Sequence, residues 1–160
     1  MTPKSLLRLP AATSKLAHLT DGRFNPVLDD PSLPGPREEV TRLVLCSGKV
    51  FYDIVGHEAR AEATNVAVGR VELLYPFAEN ELRGLMESYP RLDTVVWAQE
   101  EPKNMGARAT MEPRLAWILP DRVKYEYVGR QLRASPGEGY SAAHRAEQQR
   151  IVRAALGPIE

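Results

Sequence analysis

Val40-Thr41-Arg42-Leu43-Val44-Leu45-Cys46-Ser47-Gly48-Lys49 is the stretch on which the architecture turns. Its run of apolar and β-branched residues stops abruptly at Ser-Gly, as a buried strand does before a turn. Downstream, Lys49 to Ala63 spaces Val50, Ile54 and Ala61 as a helix would, with Phe51 and Val55 beside them. Asn65 to Val71 reads as a second strand. Ala78 to Ser88 reads as a helix with Leu82, Leu85 and Met86 inside and Glu79, Glu81, Arg83 and Glu87 outside. Thr94 to Gln99 is a third strand. Pro113 interrupts residues 105–118, which predicts a short helix in two pieces. Val123 to Val128 alternates as a fourth strand, and Ser141 can cap a helix running to Leu156, stopped by Gly157 and Pro158. Strands alternating with helices predict an α/β fold: an open, mostly parallel mixed sheet flanked by helices.

The 160 residues fit one such domain, and 21 basic against 21 acidic side chains leave no net charge. That balance argues against nucleic acid or an anionic membrane as the main partner, since both demand a basic excess. No apolar run approaches the ~20 residues of a membrane span, and no secretory h-region follows Lys4 and Arg8. A single Cys46 can form no internal disulfide, which fits a reducing, cytoplasmic setting. His18, His57 and His144 are too scattered to suggest a metal site.

Proline divides the chain. Pro3, Pro10, Pro26, Pro31, Pro34 and Pro36 crowd the first 36 residues, so residues 1–38 read as an extended arm or inter-domain linker with one short helix near Ser14–Leu19. Residues 39–160 form the α/β domain.

Ligands of open α/β sheets bind at the carboxyl ends of the strands. Here those ends carry Cys46-Ser47-Gly48-Lys49, Arg70-Val71-Glu72, Gln99-Glu100-Glu101-Pro102-Lys103-Asn104 and Gly129-Arg130, a polar and charged rim. Ser47 near a helix N-cap, with Gly48 and Lys49, suits an anion, although the full phosphate-cradling loop is missing. Adjacent Glu100 and Glu101 face opposite ways on extended chain, so an ion pair with Arg70 or Arg130, or a subunit contact, fits them better than shared acid–base work. His144, one turn from Gln148, reads as partly buried and hydrogen-bonded. Trp97 and Trp117 read as core or interface anchors, and Cys46 as buried and inert. No spacing assembles a nucleophile with its base, so no catalytic residue and no metal ligand is assigned.

Several segments resemble, in order and spacing, the C-terminal region of the thiamine-diphosphate-dependent first component of 2-oxoglutarate dehydrogenase complexes. They are Met1-Thr2-Pro3-Lys4-Ser5-Leu6-Leu7-Arg8, Leu45 to Tyr52, Val71 to Phe77, Trp97 to Ala107, and Gly129-Arg130 with Ala134-Ser135-Pro136, Gly139, His144 and Gln148-Gln149. Gln99-Glu100-Glu101-Pro102 through Ala107 is the most specific of these. Leu73, Ala78, Arg108 and Arg133 depart from the family pattern.

The resemblance implies a transketolase C-terminal-like domain. It implies a parent enzyme that decarboxylates 2-oxoglutarate on thiamine diphosphate with Mg²⁺ and passes succinyl to a lipoyl carrier. The cofactor-binding and catalytic segments of that family precede this region, so the chain resembles a fragment that is inactive alone. Implied partners are its own catalytic domains, a homodimer mate and the succinyltransferase component. Some relatives bind an allosteric nucleotide or acetyl-CoA, and Ser47, Lys49, Gln99 and Arg130 are the candidate contacts for acetyl-CoA or AMP. The alternative is a free-standing regulatory or assembly module that binds such a ligand.

Overall fold

In the computed structural model, which describes residues 3–20 and 22–157, the apolar run ends up at the centre of a five-stranded sheet. The strands are β1 (Val27–Leu28), β2 (Arg42–Cys46), β3 (Val66–Val71), β4 (Thr94–Pro102) and β5 (Lys124–Arg130), in spatial order β1-β3-β2-β4-β5. Strands β2 to β5 run parallel and β1 pairs antiparallel to β3. The helices are α1 (Ala17–Thr20), α2 (Lys49–Val55), α3 (Glu79–Glu87), α4 (Arg108–Ile118) and α5 (Ser141–Leu156).

Alternation along the strands splits the core in two. Leu43, Leu45, Ala67, Val95 and Trp97 face α3 and α4, where Leu82, Leu85, Met86, Met111, Leu115 and Ile118 meet them. Val44, Cys46, Val66, Val68, Val96 and Ala98 face α2 and α5, against Val50, Ile54, Ile151, Val152 and Ala155. Burial on both faces is why the central strands read as unbroken apolar runs.

Three expectations change. Residues 108–118 form one helix, with Pro113 inside it. Proline removes one intrahelical donor, but Ala109, whose carbonyl loses it, is exposed to water, while Met111, Leu115 and Ile118 hold both halves on the sheet. The helix expected over Lys49–Ala63 stops at Gly56 and resumes as a 3₁₀ turn over Glu58–Ala61, where His57 Nδ1 accepts the Ala59 N–H at 3.1 Å. Ser141 is the first residue of α5, not its cap; Tyr140, in extended conformation, holds that position without a side-chain bond.

In the proline-rich segment, 3₁₀ turns span Lys4–Arg8 and Pro10–Ala12 ahead of α1. Farther on, β1 adds a fifth strand, and Asp30 is buried against Arg60. Arg60 also donates to the Ala63 and Val66 carbonyls, at 3.2 and 2.9 Å.

Candidate functional site at the carboxyl edge of the sheet

Chain order reverses at β2: β3 lies on one side of it and β4 on the other. The loops leaving β2 and β4 therefore diverge, and the crevice between them is where open α/β sheets take ligands. A cavity of about 370 Å³ occupies that position, lined by Ser47, Gly48, Lys49, Trp97, Gln99 and Glu100, with Pro3, Leu74 and Gly106 also at its wall. Three of the four residues singled out in the sequence, Ser47, Lys49 and Gln99, thus share one cavity.

Gly48, not Ser47, is the N-cap of α2, with φ +73° and ψ −139°. That left-handed backbone favours glycine. Lys49 reaches this wall from the first turn of α2, but its ammonium pairs with Asp53 one turn on. Asp53 also accepts from Gln148 Nε2 at 2.7 Å, and the same nitrogen donates to Glu100 Oε2 at 2.9 Å. Glu100 is therefore bound to α5 by an amide, and neither Arg70 nor Arg130 takes it as an ion pair. Arg70 pairs instead with Glu72 and the Tyr52 hydroxyl and lies 4.8 Å over the Phe51 ring.

The Gln99 side chain is 4% exposed in total and fully engaged. Its Oε1 accepts from the Trp97 indole and from the Arg108 N–H, each at 3.0 Å. Its Nε2 donates to the carbonyls of Pro102 at 3.2 Å and Met105 at 2.8 Å. An amide with two hydrogens and two lone pairs so committed shapes the turn from β4 into α4 and has little left for a ligand. Gly106 completes that turn at φ +68°, and a methyl there would sit 3.0 Å from Gln99 Nε2.

Arg130 lines a second cavity of about 250 Å³ with Lys103, Tyr127, Gly129, Gln131 and Arg150. Sequence reasoning placed Lys103 at the end of its strand, on the rim, but missed Arg150 here. Arg150 donates to the Gly129 carbonyl at 2.8 Å and pairs with Glu147, whose carboxyl its hydrogen bond holds below the ordinary range. The only sequence signal was the Glu-x-x-Arg spacing on a helix, which surface pairs share. His144 is hydrogen-bonded, to Arg130 at 3.0 Å, but exposed rather than partly buried. Trp97 is core and Trp117 is 80% exposed, so Trp117 is no core anchor. Cys46 is fully buried, and burial pushes its thiol up, far from the thiolate.

Among the described residues no three His, Cys, Asp or Glu side chains gather as a metal ion would need. These residues do not fit a thiamine diphosphate–Mg²⁺ centre. No described helix is long and apolar enough to cross a membrane.

A three-layer α/β sheet with its chain reversal beside a cation-bearing edge is thus the class of domain in hand. The family model for the 2-oxoglutarate dehydrogenase C-terminal region matches residues 13–156, and the chain belongs to that family. It is 46% identical over 157 residues to the 2-oxoglutarate dehydrogenase E1 component of Geobacillus sp. (strain WCH70), covering 98% of this chain and 16% of that protein. Against the E1 component of Bacillus pumilus (strain SAFR-032) identity is 46% over 154 residues, and against that of Bacillus subtilis (strain 168) 45% over 154; each match covers 95% of this chain and 16% of the relative. The chain spans about one sixth of the length of these relatives.

Proposed function

We propose that this chain serves as the C-terminal assembly and regulatory part of a 2-oxoglutarate dehydrogenase E1 component. The parent enzyme decarboxylates 2-oxoglutarate on thiamine diphosphate and Mg²⁺, held by other segments, and transfers succinyl to a lipoyl carrier in the cytoplasm. The thiamine cofactor would supply the electron sink for decarboxylation. One observation carries the reading: near-half identity runs along 98% of the chain yet touches only 16% of the relative. Residues 1–38 are the linker from the preceding catalytic domains, with which this part associates, together with a homodimer mate and the succinyltransferase component. In support, Leu7, Leu16, Leu19 and Phe24 are all largely exposed.

The carboxyl edge is the regulatory site, taking the phosphates of AMP or acetyl-CoA. Ser47, Lys49 and Arg130 are the contacts and Gln99 holds the crevice in shape. The support is a crevice at the chain reversal and a neighbouring cavity bordered by Lys103, Arg130 and Arg150. Arginine bonds phosphate through two parallel donors.

Two measurements test the proposal. The pure 160-residue chain, given 2-oxoglutarate, thiamine diphosphate, Mg²⁺ and an artificial electron acceptor, is expected to show no turnover; turnover would overturn the division of labour. Calorimetry with acetyl-CoA and AMP should give binding heat that Lys49→Ala and Arg130→Ala reduce. Heat unchanged in both variants would remove the site.

A further inference from the structure

Arg130 is an unusual cation: it is 4% exposed and, among the described residues, no carboxylate pairs with it. Its Nη1 donates to the Pro136 carbonyl at 3.1 Å and its Nη2 to His144 Nδ1 at 3.0 Å. Its Nε is buried without a partner. Arginine has only donors, so His144 Nδ1 is the acceptor of this bond. Glu147 feels this charge but spends its hydrogen bonds on Arg150, so the guanidinium of Arg130 bonds only neutral acceptors and has room for an anionic one.

What covers Arg130 is slight. Residues 131–137 are all exposed, including Leu132 at 65%, so the segment buries no large apolar side chain. A methyl added at Gly137 or Gly139 would meet nothing within 4 Å, so a side chain at either position would face open space. Two polar clasps hold the segment down. One is the Arg130–Pro136 bond. The other is Asn104, whose Nδ2 donates to the Arg133 carbonyl at 2.9 Å and whose Oδ1 accepts the Arg133 N–H at 3.2 Å. Segments with few apolar contacts and exposed hydrogen bonds open at the low end of a protein's free-energy range.

We propose that residues 131–140 are a strap closed over Arg130, and that a phosphate group opens it by replacing Pro136 and His144 on the guanidinium. The inference rests on the reading of Arg130 as an anion contact. Arg130 is 4% exposed with the strap down and its unpartnered Nε is buried, so a phosphate reaches these donors only when the segment lifts. Lys103 and Arg150, on the adjoining cavity, draw the anion in. Occupancy of the edge is thereby converted into exposure of a ten-residue segment, which is a form a partner can sense.

Amide hydrogen exchange on the 160-residue chain tests this, at constant ionic strength set with KCl. The three probes are inorganic phosphate, AMP and acetyl-CoA, with calorimetry alongside. Exchange across 131–140, the Arg133 amide above all, should rise about tenfold with a probe that binds, and Asn104→Ala should show a comparable rise with none. A response to inorganic phosphate as well as to the larger probes marks the phosphate group itself as sufficient; a response to acetyl-CoA or AMP alone assigns it to those molecules. Binding heat with unchanged or slower exchange overturns the strap while leaving the anion site standing. Absence of heat from all three overturns the anion site, and the strap's opening with it. No rise in Asn104→Ala overturns the clasp.

Discussion

Asp30 accepts the backbone N–H of Val68 at 2.8 Å, so a side chain from the proline-rich segment caps an edge donor in the middle of β3. β1 pairs with β3 only at Val71 and Arg70, and Asp30 extends the cover beyond it. The same carboxylate is paired with Arg60, and both groups are almost wholly buried. Unpaired edge donors invite other strands, and burying this one with a charge-assisted bond closes that route.

Asp30→Ala should cost about 3–5 kcal/mol, the range for stranding the partner of a buried ion pair. Urea unfolding of the variant measures it. The double variant Asp30→Leu, Arg60→Met should recover a large part of the loss, because no buried charge is left alone. A loss below about 1 kcal/mol for Asp30→Ala would show that the pair does not anchor the segment.

Gln99→Leu keeps the size of the side chain but orphans the Trp97 indole, the Arg108 N–H and the Met105 carbonyl. Each buried unpaired group costs about 1–3 kcal/mol, so with three orphaned the variant should lose at least about 3 kcal/mol and blur the turn at Gly106. Gly106→Ala acts on the same turn by another route. It puts a methyl at φ +68° and 3.0 Å from the Gln99 amide, and should lower Tm with no change in the far side of the sheet. Thermal unfolding and amide spectra of the two variants, expected to perturb the same residues, provide the check.

Cys46 should resist a thiol reagent in the native protein at any pH short of unfolding and react at once in denaturant. Its thiol sits among Val44, Val68 and Ala98 and is raised above the ordinary 9.0 by burial. Labelling that keeps pace with reagent concentration under native conditions would contradict the buried placement.

Stability should fall at both ends of the pH scale through one cluster. Burial works to raise the Asp29 carboxyl, but bonds from the Tyr89 hydroxyl and Arg37 outweigh it and hold it below 3.8. That contribution is complete above the ordinary carboxylate value and is lost as pH drops through the lowered one. Burial and the bond to Asp29 raise the Tyr89 phenol above 10.0, so its contribution is complete below 10 and declines as pH climbs past it. Denaturant midpoints across pH should show both limbs. Tyr89→Phe should weaken the alkaline limb, which Tyr125 and Tyr127 share because burial raises their phenols too, and soften the acidic one.

The four parallel strands and their helices were legible because each is long enough to display its period, from Leu43–Cys46 to Ile151–Leu156. β1 was not: two residues carry no periodicity, and Val27–Leu28 lies among prolines. The unity of α4 was hidden by Pro113, whose lost bond is met by solvent while the core stripe holds. At the edge, the rim residues could be read from strand ends, since strand ends alone set their place. Their commitments could not. Gln99 spends its amide on its own loop and Lys49 its charge on Asp53, and both depend on turns whose shape only the folded chain defines. Arg150 comes to the rim by helix phase, which a single position does not announce.

Arg42 lies on β2, yet its Nε donates to the Ala155 carbonyl at 3.0 Å, at the last turn of α5. The face of the sheet carrying Val44, Val96 and Ala98 is therefore finished by α5, which is made after every strand of the sheet. During synthesis the pleated layer is complete through Arg130 while its lid is still being translated, leaving an oily surface bare for that interval. Nonsense or frameshift lesions falling between Gln131 and Ser141 should accordingly yield a chaperone-bound or insoluble product, not a trimmed but serviceable one.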